Sequence, residues 1–353
     1  MSRFLSENIE ELTSYVPGEQ PQDKKYVKLN TNESPFPASE GVVKAINKEK
    51  IQNLRFYSDP ECKVLKKKLA EVYDVNSSNV FVSNGSDEIL NFAFMAYGKN
   101  GVAFADITYG FYSVFASLYG LDAEIVPLLD DFSLNVNGFK KKNKLIVIAN
   151  PNAPTGMDIS LNEIEEILLF NPNDVVLIDE AYVDFGGNSC SNLTKKYKNL
   201  LCVQTFSKSR SMAGARLGFA IGDEELISDL EKIKYSTNPY NVNSLTQIAG
   251  ISALEDNDYY MENAKKIIKN RDYTIEELKK LGFTVLPSKS NFVFAKTDKV
   301  SGEELYLKLK DKGVLIRHFT KERIKEFNRI TIGSLEEMQI FIEKVKEILG
   351  EIK

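Results

Sequence analysis

The chain has 353 residues, 43% of them hydrophobic and 27% charged, with a formal net charge of −5. That is the ordinary balance of a globular protein, long enough for one large domain and a smaller one. The acidic surplus argues against nucleic acid or an anionic membrane as the partner. No stretch approaches the roughly eighteen uninterrupted apolar residues of a membrane span. The N-terminal MSRFLSENIEELTSYVPGE carries acids and no apolar h-region, so no signal peptide is expected. Cys62, Cys190 and Cys202 are odd in number and far apart, and no CxxC pair occurs. This fits a reducing cytoplasm and gives no disulfide framework. The single histidine, His318, leaves too few ligands for a zinc site and no base for a Ser-His-Asp triad. An organic cofactor is therefore the natural carrier of any chemistry.

Residues 1–30 read as an arm that packs with the smaller domain: a short amphipathic helix near Phe4–Leu12, then Pro17-Gly18 and a polar, extended stretch. NTNESPFPAS at 30–39 is a turn-rich loop in which Pro35 and Pro37 forbid helix. A helix is expected over Glu61–Tyr73; the lysine runs at 66–68 and 140–144 suit a solvated helix face and a solvated loop. From Asn79 to Gly222 short apolar runs alternate with helical patterns, the signature of a mostly parallel sheet between helices. Seven strands are expected: NVFV at 79–82, GVAFA at 101–105, AEIVPL at 123–128, KLIVIA at 144–149, VVLID at 175–179, LLCVQT at 200–205 and LGFAIG at 217–222. Several are apolar throughout, as strands covered on both faces must be. Helices follow at Glu224–Ser236 and Leu245–Leu254. The remainder changes texture: a charged helix at Tyr259–Leu281, four short strands in FTVLP, NFVFAK, VLIRHF and NRITIG, a helix at Gly302–Lys312 and a last one at Leu335–Leu349. The fold class is α/β, with a large domain over 31–245 and a small α+β domain over 246–353.

The polar residues of interest fall at the carboxyl ends of the expected strands, where ligands of open α/β sheets bind. TFSKSRSMAGARLG, at 205–218, places Thr205, Ser207 and Lys208 after a buried strand and Arg216 eight residues later. Burial disfavours a lysine's charged form, so Lys208 suits an imine-forming amine, with Arg216 beside it as a phosphate clamp. NGSDE at 84–88 opens a helix; Gly85 permits close approach, and the N–H groups of Ser86 and Asp87 sit at a positive helix end. On its own that pattern is equally a helix cap. Tyr109, after the second strand, either stacks on a flat heterocycle or fills core. NPNAPTG stiffens a loop that holds Asn152 over the site. In DEAYVDF, Asp179 closes an apolar run, where a carboxylate needs a cation or hydrogen bonds; a protonated pyridine nitrogen is such a cation. Tyr182, three residues on, is placed to bond a phenolate oxygen of the same ring. Glu180 and Asp184 are assigned to solvent or local structure. Phosphate donors, a pyridinium partner, a stacking ring, a phenolate donor and an imine lysine together describe pyridoxal 5′-phosphate.

At this point the chain resembles the class-II aminotransferases that use pyridoxal phosphate, proteins of fold type I. NTNESPF, RFYSDP, SNGSDE, NPNAPTG, DEAYVDF, TFSKSRSMAGARLG and NRITIG carry the resemblance, which runs from about Tyr15 to the last strand. It implies that Lys208 forms the imine, Asp179 pairs with the ring nitrogen, and Tyr182 bonds the ring oxygen. Ser86, Asp87, Ser207 and Arg216 then hold the phosphate, and Tyr109 stacks. Tyr57 in RFYSDP is implied to reach the partner subunit's cofactor phosphate, so a homodimer with shared sites is expected. Relatives carry a second asparagine before PTG where this chain has Ala153. Either Asn152 takes over that contact or the contact is missing.

The resemblance also implies amino transfer by alternating half-reactions, with 2-oxoglutarate and glutamate as one substrate pair. Arg329 in NRITIG lies where relatives clamp an anionic group, and Arg317 in VLIRHF precedes it by twelve residues. Two guanidinium forks favour a dianionic phosphate, as in histidinol phosphate, and the alternate carboxylate of glutamate; Arg317 can equally be a surface ion pair. Tyr15 and Asn291 are further substrate-side candidates, and Asn32 is either another or a turn residue. An aromatic amino-acid transaminase and a decarboxylase of threonine phosphate remain open alternatives, as does a cofactor-binding protein without catalysis, which the presence of Lys208 and Asp179 argues against.

Overall fold

A computed structural model of the chain describes residues 4, 5, 9, 12 and 14–351. The helix expected near Phe4–Leu12 lies largely outside the described residues. The strands are β1 Val27–Lys28, β2 Val80–Ser83, β3 Val102–Ala105, β4 Ala123–Val126, β5 Leu145–Ala149, β6 Val176–Asp179, β7 Leu200–Thr205, β8 Gly218–Gly222, β9 Thr284–Val285, β10 Phe292–Lys296, β11 Val314–Leu315, β12 Arg317–His318 and β13 Asn328–Thr331. All seven strands expected between 79 and 222 are present, displaced at their ends by a residue or two. They form one sheet in the order β2-β8-β7-β6-β5-β3-β4. Only β8 runs antiparallel to its neighbours β7 and β2.

Both faces of this sheet are buried, and the side-chain period of two sorts its residues. Leu145, Val147, Leu177, Leu201 and Val203 pack with helix Ser86–Tyr97 on one face. Ile146, Ile148, Val176, Ile178, Leu200 and Cys202 pack with helix Leu161–Phe170 on the other. This is why β5 and β7 read as unbroken apolar runs. At the start of helix Leu161–Phe170, Ser160 and Glu163 form a reciprocal capping box, which satisfies two otherwise orphaned N–H groups.

The second lobe joins an antiparallel sheet, β12-β13-β10-β9, to helices Asn257–Lys280, Gly302–Asp311 and Leu335–Glu351. VLIRHF is not one strand. It divides at Ile316 into β11, which pairs in parallel with the arm strand β1, and β12, which pairs with β13. The arm is thereby stitched to the small lobe. The hydrophobic clusters also change over later than residue 246. Helix Ser244–Glu255 and Tyr260 pack with Val42, Leu65 and Phe219 in the large lobe, whereas Ala264 and Ile267 belong to the small-lobe core. The long helix from Asn257 therefore bridges the two. Among the described residues no helix is long and apolar enough to cross a membrane.

Candidate active site

Lys208 follows β7 by three residues, at the carboxyl edge of the sheet. Ser207 and Thr205 beneath it are buried, and the Ser207 N–H donates to Thr205 Oγ1 at 3.1 Å. The Lys208 amine donates to the Thr31 carbonyl at a long 3.4 Å and lies 5.6 Å from the centre of the Tyr182 ring. It is thus only loosely held and free to engage a ligand.

The reversed direction of β8 decides what stands next to this lysine. Because β8 begins where β2 ends, with Gly218 opposite Ser83, the residues just before β8 meet the first turn of helix Ser86–Tyr97. A Cβ on Gly218 would lie 2.4 Å from the Ser86 nitrogen, so only glycine admits that approach. Gly85 has φ +78°, and a Cβ there would meet Arg216 Nη2 at 2.5 Å. Two bare backbones, a helix N-terminus and a guanidinium thus form one cradle, which suits an anion. Arg216 itself has φ 54°, a conformation that a non-glycine residue keeps only where the surroundings impose it. Asp87 pairs with Arg216 Nη2 at 3.1 Å and accepts from Tyr109 Oη at 2.8 Å. Its carboxylate would repel a phosphate, so Asp87 serves the cradle through its N–H and by orienting Arg216 and Tyr109. Arg216→Ala is expected to weaken cofactor affinity about ten- to a hundredfold, the worth of one charge-assisted hydrogen bond, in an equilibrium titration of the unloaded protein.

Asp179 ends β6 and is 5% exposed. Burial pushes its carboxyl up to about 6, against the opposing hydrogen bonds from Tyr112 Oη, 2.8 Å from Oδ2, and from the Ala181 N–H, 3.2 Å from Oδ1. Tyr112 is fully buried, and burial together with Asp179 holds its own hydroxyl well above the usual range, so it remains a donor. A buried carboxylate with two donors and no cation among the described residues fits a positively charged partner.

These groups share one cavity of about 160 Å³, walled by Ser86, Asp87, Tyr109, Asp179, Tyr182, Thr205, Ser207, Lys208 and Arg216. Anion cradle, amine and buried carboxylate lie around a space walled by the Tyr109 and Tyr182 rings and by Ala153. That donor set fits a flat cationic heteroaromatic ring carrying a phosphate. Asn152 is not in this wall. Its Nδ2 donates to the Ile107 carbonyl and to Thr155 Oγ1, each at 3.0 Å, and its Oδ1 accepts from Thr108 at 2.8 Å. The amide of Asn152 is engaged in bracing the loop, and Ala153 contributes only a methyl group to the cavity.

A larger cavity, about 770 Å³, adjoins the first and shares Lys208, Tyr182, Tyr109 and Ala153 with it. Tyr15, Asn32, Arg317 and Arg329 line it. Tyr15 stacks on Phe111 at 4.3 Å between ring centres. Arg329 donates from Nη2 to the Asn30 carbonyl, while its buried Nε has no hydrogen-bond partner among the described residues. Desolvation lowers its pKa from the arginine norm, the condition of a guanidinium short of an anion. Arg317 holds the arm, donating to the carbonyls of Val16 and Pro17 at 3.0 and 3.1 Å. Asn291 is fully buried behind the wall, where its Nδ2 donates to the Asn32 carbonyl at 3.0 Å. Tyr57 stands away from both cavities, 83% exposed and stacked on Tyr240.

Tyr112 was not among the residues expected here; its partner Asp179 lies 67 positions away, and nothing in YGFYS marks the second tyrosine over the first. Thr31 was likewise missed, because it offers a backbone carbonyl. Glu180 is buried rather than solvated. It accepts from Ser189, Gln204, Cys202 and the Cys190 N–H, a filled network although its carboxylate and the two thiols lie within 4.8 Å of one another.

The pattern of the family "Aminotransferase class I and II" matches residues 24–345. The histidinol-phosphate aminotransferase of Brachyspira hyodysenteriae is 52% identical over 352 residues, covering 99% of each chain. That of Clostridium botulinum (strain Kyoto / Type A2) is 47% identical over 354 residues, covering all of both. Among solved structures, histidinol-phosphate aminotransferase from Sinorhizobium meliloti in complex with pyridoxal-5′-phosphate superposes with a TM-score of 0.90. That match covers 100% of this chain and 99% of the other at 22% identity, a likeness of fold.

Proposed function

This chain belongs to the class I and II aminotransferase family, and we infer that it moves the amino group of L-histidinol phosphate to 2-oxoglutarate, giving imidazole acetol phosphate and glutamate, as a step of histidine biosynthesis. The observation that carries the substrate reading is the buried Arg329 Nε, lacking a partner on the wall of a cavity that opens onto Lys208. The relatives of nearly half identity or more over the full length act on that substrate by name.

The cofactor is pyridoxal 5′-phosphate, which when bound supplies an electron sink for charge developing on the substrate's Cα. The rest is the work of the chain. Arg216, Ser207 and the N–H groups of Ser86 and Asp87 hold the phosphate. Asp179, on the wall of the cavity, would pair with the ring nitrogen and keep its proton in place. Tyr182 would donate to the ring's phenolic oxygen, and Tyr109 would cover one face of the ring. Lys208, whose amine lines the cavity, would take the proton from the substrate's Cα and deliver it to the carbon that receives the amino group. Arg329 holds the anionic end of either substrate, and the arm carrying Tyr15 shields the reaction from water. Because one site serves both half-reactions in turn, ping-pong kinetics follow.

We assign the chain to a homodimer. Phe56 and Tyr57 of the RFYSDP segment are exposed, as are Leu54 just before it and Tyr240, which stacks on Tyr57; this apolar and aromatic surface supports the reading that Tyr57 enters a neighbouring subunit's site. A cytoplasmic location accords with three free cysteines.

The test compares substrates. A site that pairs a partly buried arginine with a phosphate should favour histidinol phosphate over phenylalanine by at least about a hundredfold in kcat/KM. A ratio near one would make the enzyme an aromatic amino-acid transaminase. Release of carbon dioxide from threonine phosphate without need of 2-oxoglutarate would make it a decarboxylase.

A further inference from the structure

Asn32 has a place in this site that differs from substrate contact. It is 1% exposed and sits at φ 58°, a left-handed conformation that asparagine tolerates better than most residues. Its N–H donates to Thr331 Oγ1 at 3.0 Å, so the Thr331 hydroxyl proton is free to be donated onward, and Asn32 Oδ1 lies 3.0 Å away to accept it. Its carbonyl accepts from Asn291 Nδ2 at 3.0 Å. With Oδ1 committed to Thr331, the amide has one orientation, and Nδ2 donates to Tyr182 Oη at 2.9 Å. The T-shaped contact of the Tyr182 ring with Phe292, 5.1 Å between centres, fixes the other end of that pair.

We propose that Asn32 is a positioning residue for Tyr182, supplying from β13's side of the cavity the amide that position 153 lacks. A phenol oxygen has one proton to give and two lone pairs. Asn32 occupies a lone pair, which leaves the Tyr182 proton to point into the cavity and makes the hydroxyl a stronger donor. Ala153 cannot donate, and Asn152 is consumed by its own loop, so Tyr182 is the side-chain donor left for the ring's phenolic oxygen. The small lobe thereby reaches the cofactor through Thr331, Asn32 and Tyr182, without touching it. This inference rests on the cofactor reading given above.

The test is a pH titration of the visible absorbance band of the loaded protein, alongside thermal melts of the unloaded variants. A weaker donor to the phenolic oxygen leaves more negative charge beside the Lys208 nitrogen, which then keeps its proton to higher pH. Asn32→Gly, whose glycine accepts the backbone angle without strain, is expected to raise the titration midpoint by about one pH unit, tenfold in the proton equilibrium. Tyr182→Phe should raise it similarly, and combining the two should add nothing beyond Tyr182→Phe. Asn32→Asp keeps the acceptor for Thr331 but draws the Tyr182 proton out of the cavity, so it should shift the midpoint at least as far. Ala153→Asn on the Asn32→Gly background should bring the midpoint back down. An unchanged midpoint in Asn32→Gly and Asn32→Asp while Tyr182→Phe shifts it, or shifts that add in the double variant, would overturn the proposal. A wild-type protein that shows no titrating band with added pyridoxal phosphate would overturn the cofactor reading with it.

Discussion

Lys208→Ala is expected to slow amino transfer by about ten-thousandfold or more at saturating substrate, the upper range for losing a positioned acid–base group. On the proposed reading two roles fall together on this amine: it would bond the cofactor covalently and, once released, carry the proton between carbons. The fold should survive, since the side chain is only partly buried and its one hydrogen bond, to Thr31, is 3.4 Å long. A melt of the unloaded variant close to that of the wild type is therefore expected. Rapid mixing of cofactor-loaded variant with histidinol phosphate would read the half-reaction directly, and small primary amines in the buffer should restore part of the rate by taking over the proton. A loss of less than tenfold would move the proton transfer to another group, and Tyr182, the ring beneath the amine, would be the first to examine.

Asp179→Asn should produce opposite effects on catalysis and on the stability of the unloaded protein. In catalysis a neutral amide cannot hold a positive ring nitrogen, and the loss of one aimed electrostatic partner costs about a hundred- to a thousandfold. Stability follows from the pH linkage. The folded Asp179 titrates near 6 and its ordinary value is 3.8, so between those values the folded state binds more protons than the unfolded state. Stability from this group is full below the lower value and is lost as pH rises through the upper one. Above about pH 6 the buried charge therefore costs the unloaded wild type up to about 3 kcal/mol. The asparagine of the variant has no charge to bury, and its amide can still bond Tyr112 and the Ala181 N–H. Near neutral pH the unloaded Asp179→Asn variant should melt higher than the wild type, with the gap closing as pH falls toward 4. Cofactor should stabilise the wild type more than the variant, because only the wild type gains a cation beside its carboxylate. Scanning calorimetry of both proteins across that range checks the sign; an unloaded variant less stable at every pH would mean that Asp179 is not a buried, uncompensated charge.

The strong local signals lay in the sheet. β5, β6 and β7 are buried on both faces, so their residues are apolar at nearly every position and their ends are unmistakable; the chemistry-bearing residues follow at once, as Asp179 does after Ile178 and Lys208 after Thr205. Strand-end position and residue type together pointed to an amine, a carboxylate and an anion cradle that the fold brings into one cavity. The arm and the small lobe were harder. VLIRHF has the pattern of one strand, yet it serves two partners, β1 and β13, and no local preference records where pairing changes hands. The same holds for the changeover between lobes, which lies within a continuous helix whose own sequence has no reason to break.

Residue type at a strand end thus pointed to the residues that line the cavity, because burial of the strand and exposure of its tip are written in adjacent residues. What each part touches was decided by tertiary structure alone. Asn152 and Asn32 are both asparagines in turn-rich loops. One is taken up by the Ile107 carbonyl and Thr155, while the other is turned by Thr331 onto Tyr182, 150 positions away. Arg317 and Arg329 likewise share a residue type and neighbouring antiparallel strands. The first finds the arm's carbonyls within reach, and the second keeps a buried Nε without a partner among the described residues. A hydrogen bond is a matter of a few tenths of an ångström between atoms that the chain brings together from far apart. Spacing along the sequence carries no information at that scale, so the roles within the site wait on the fold.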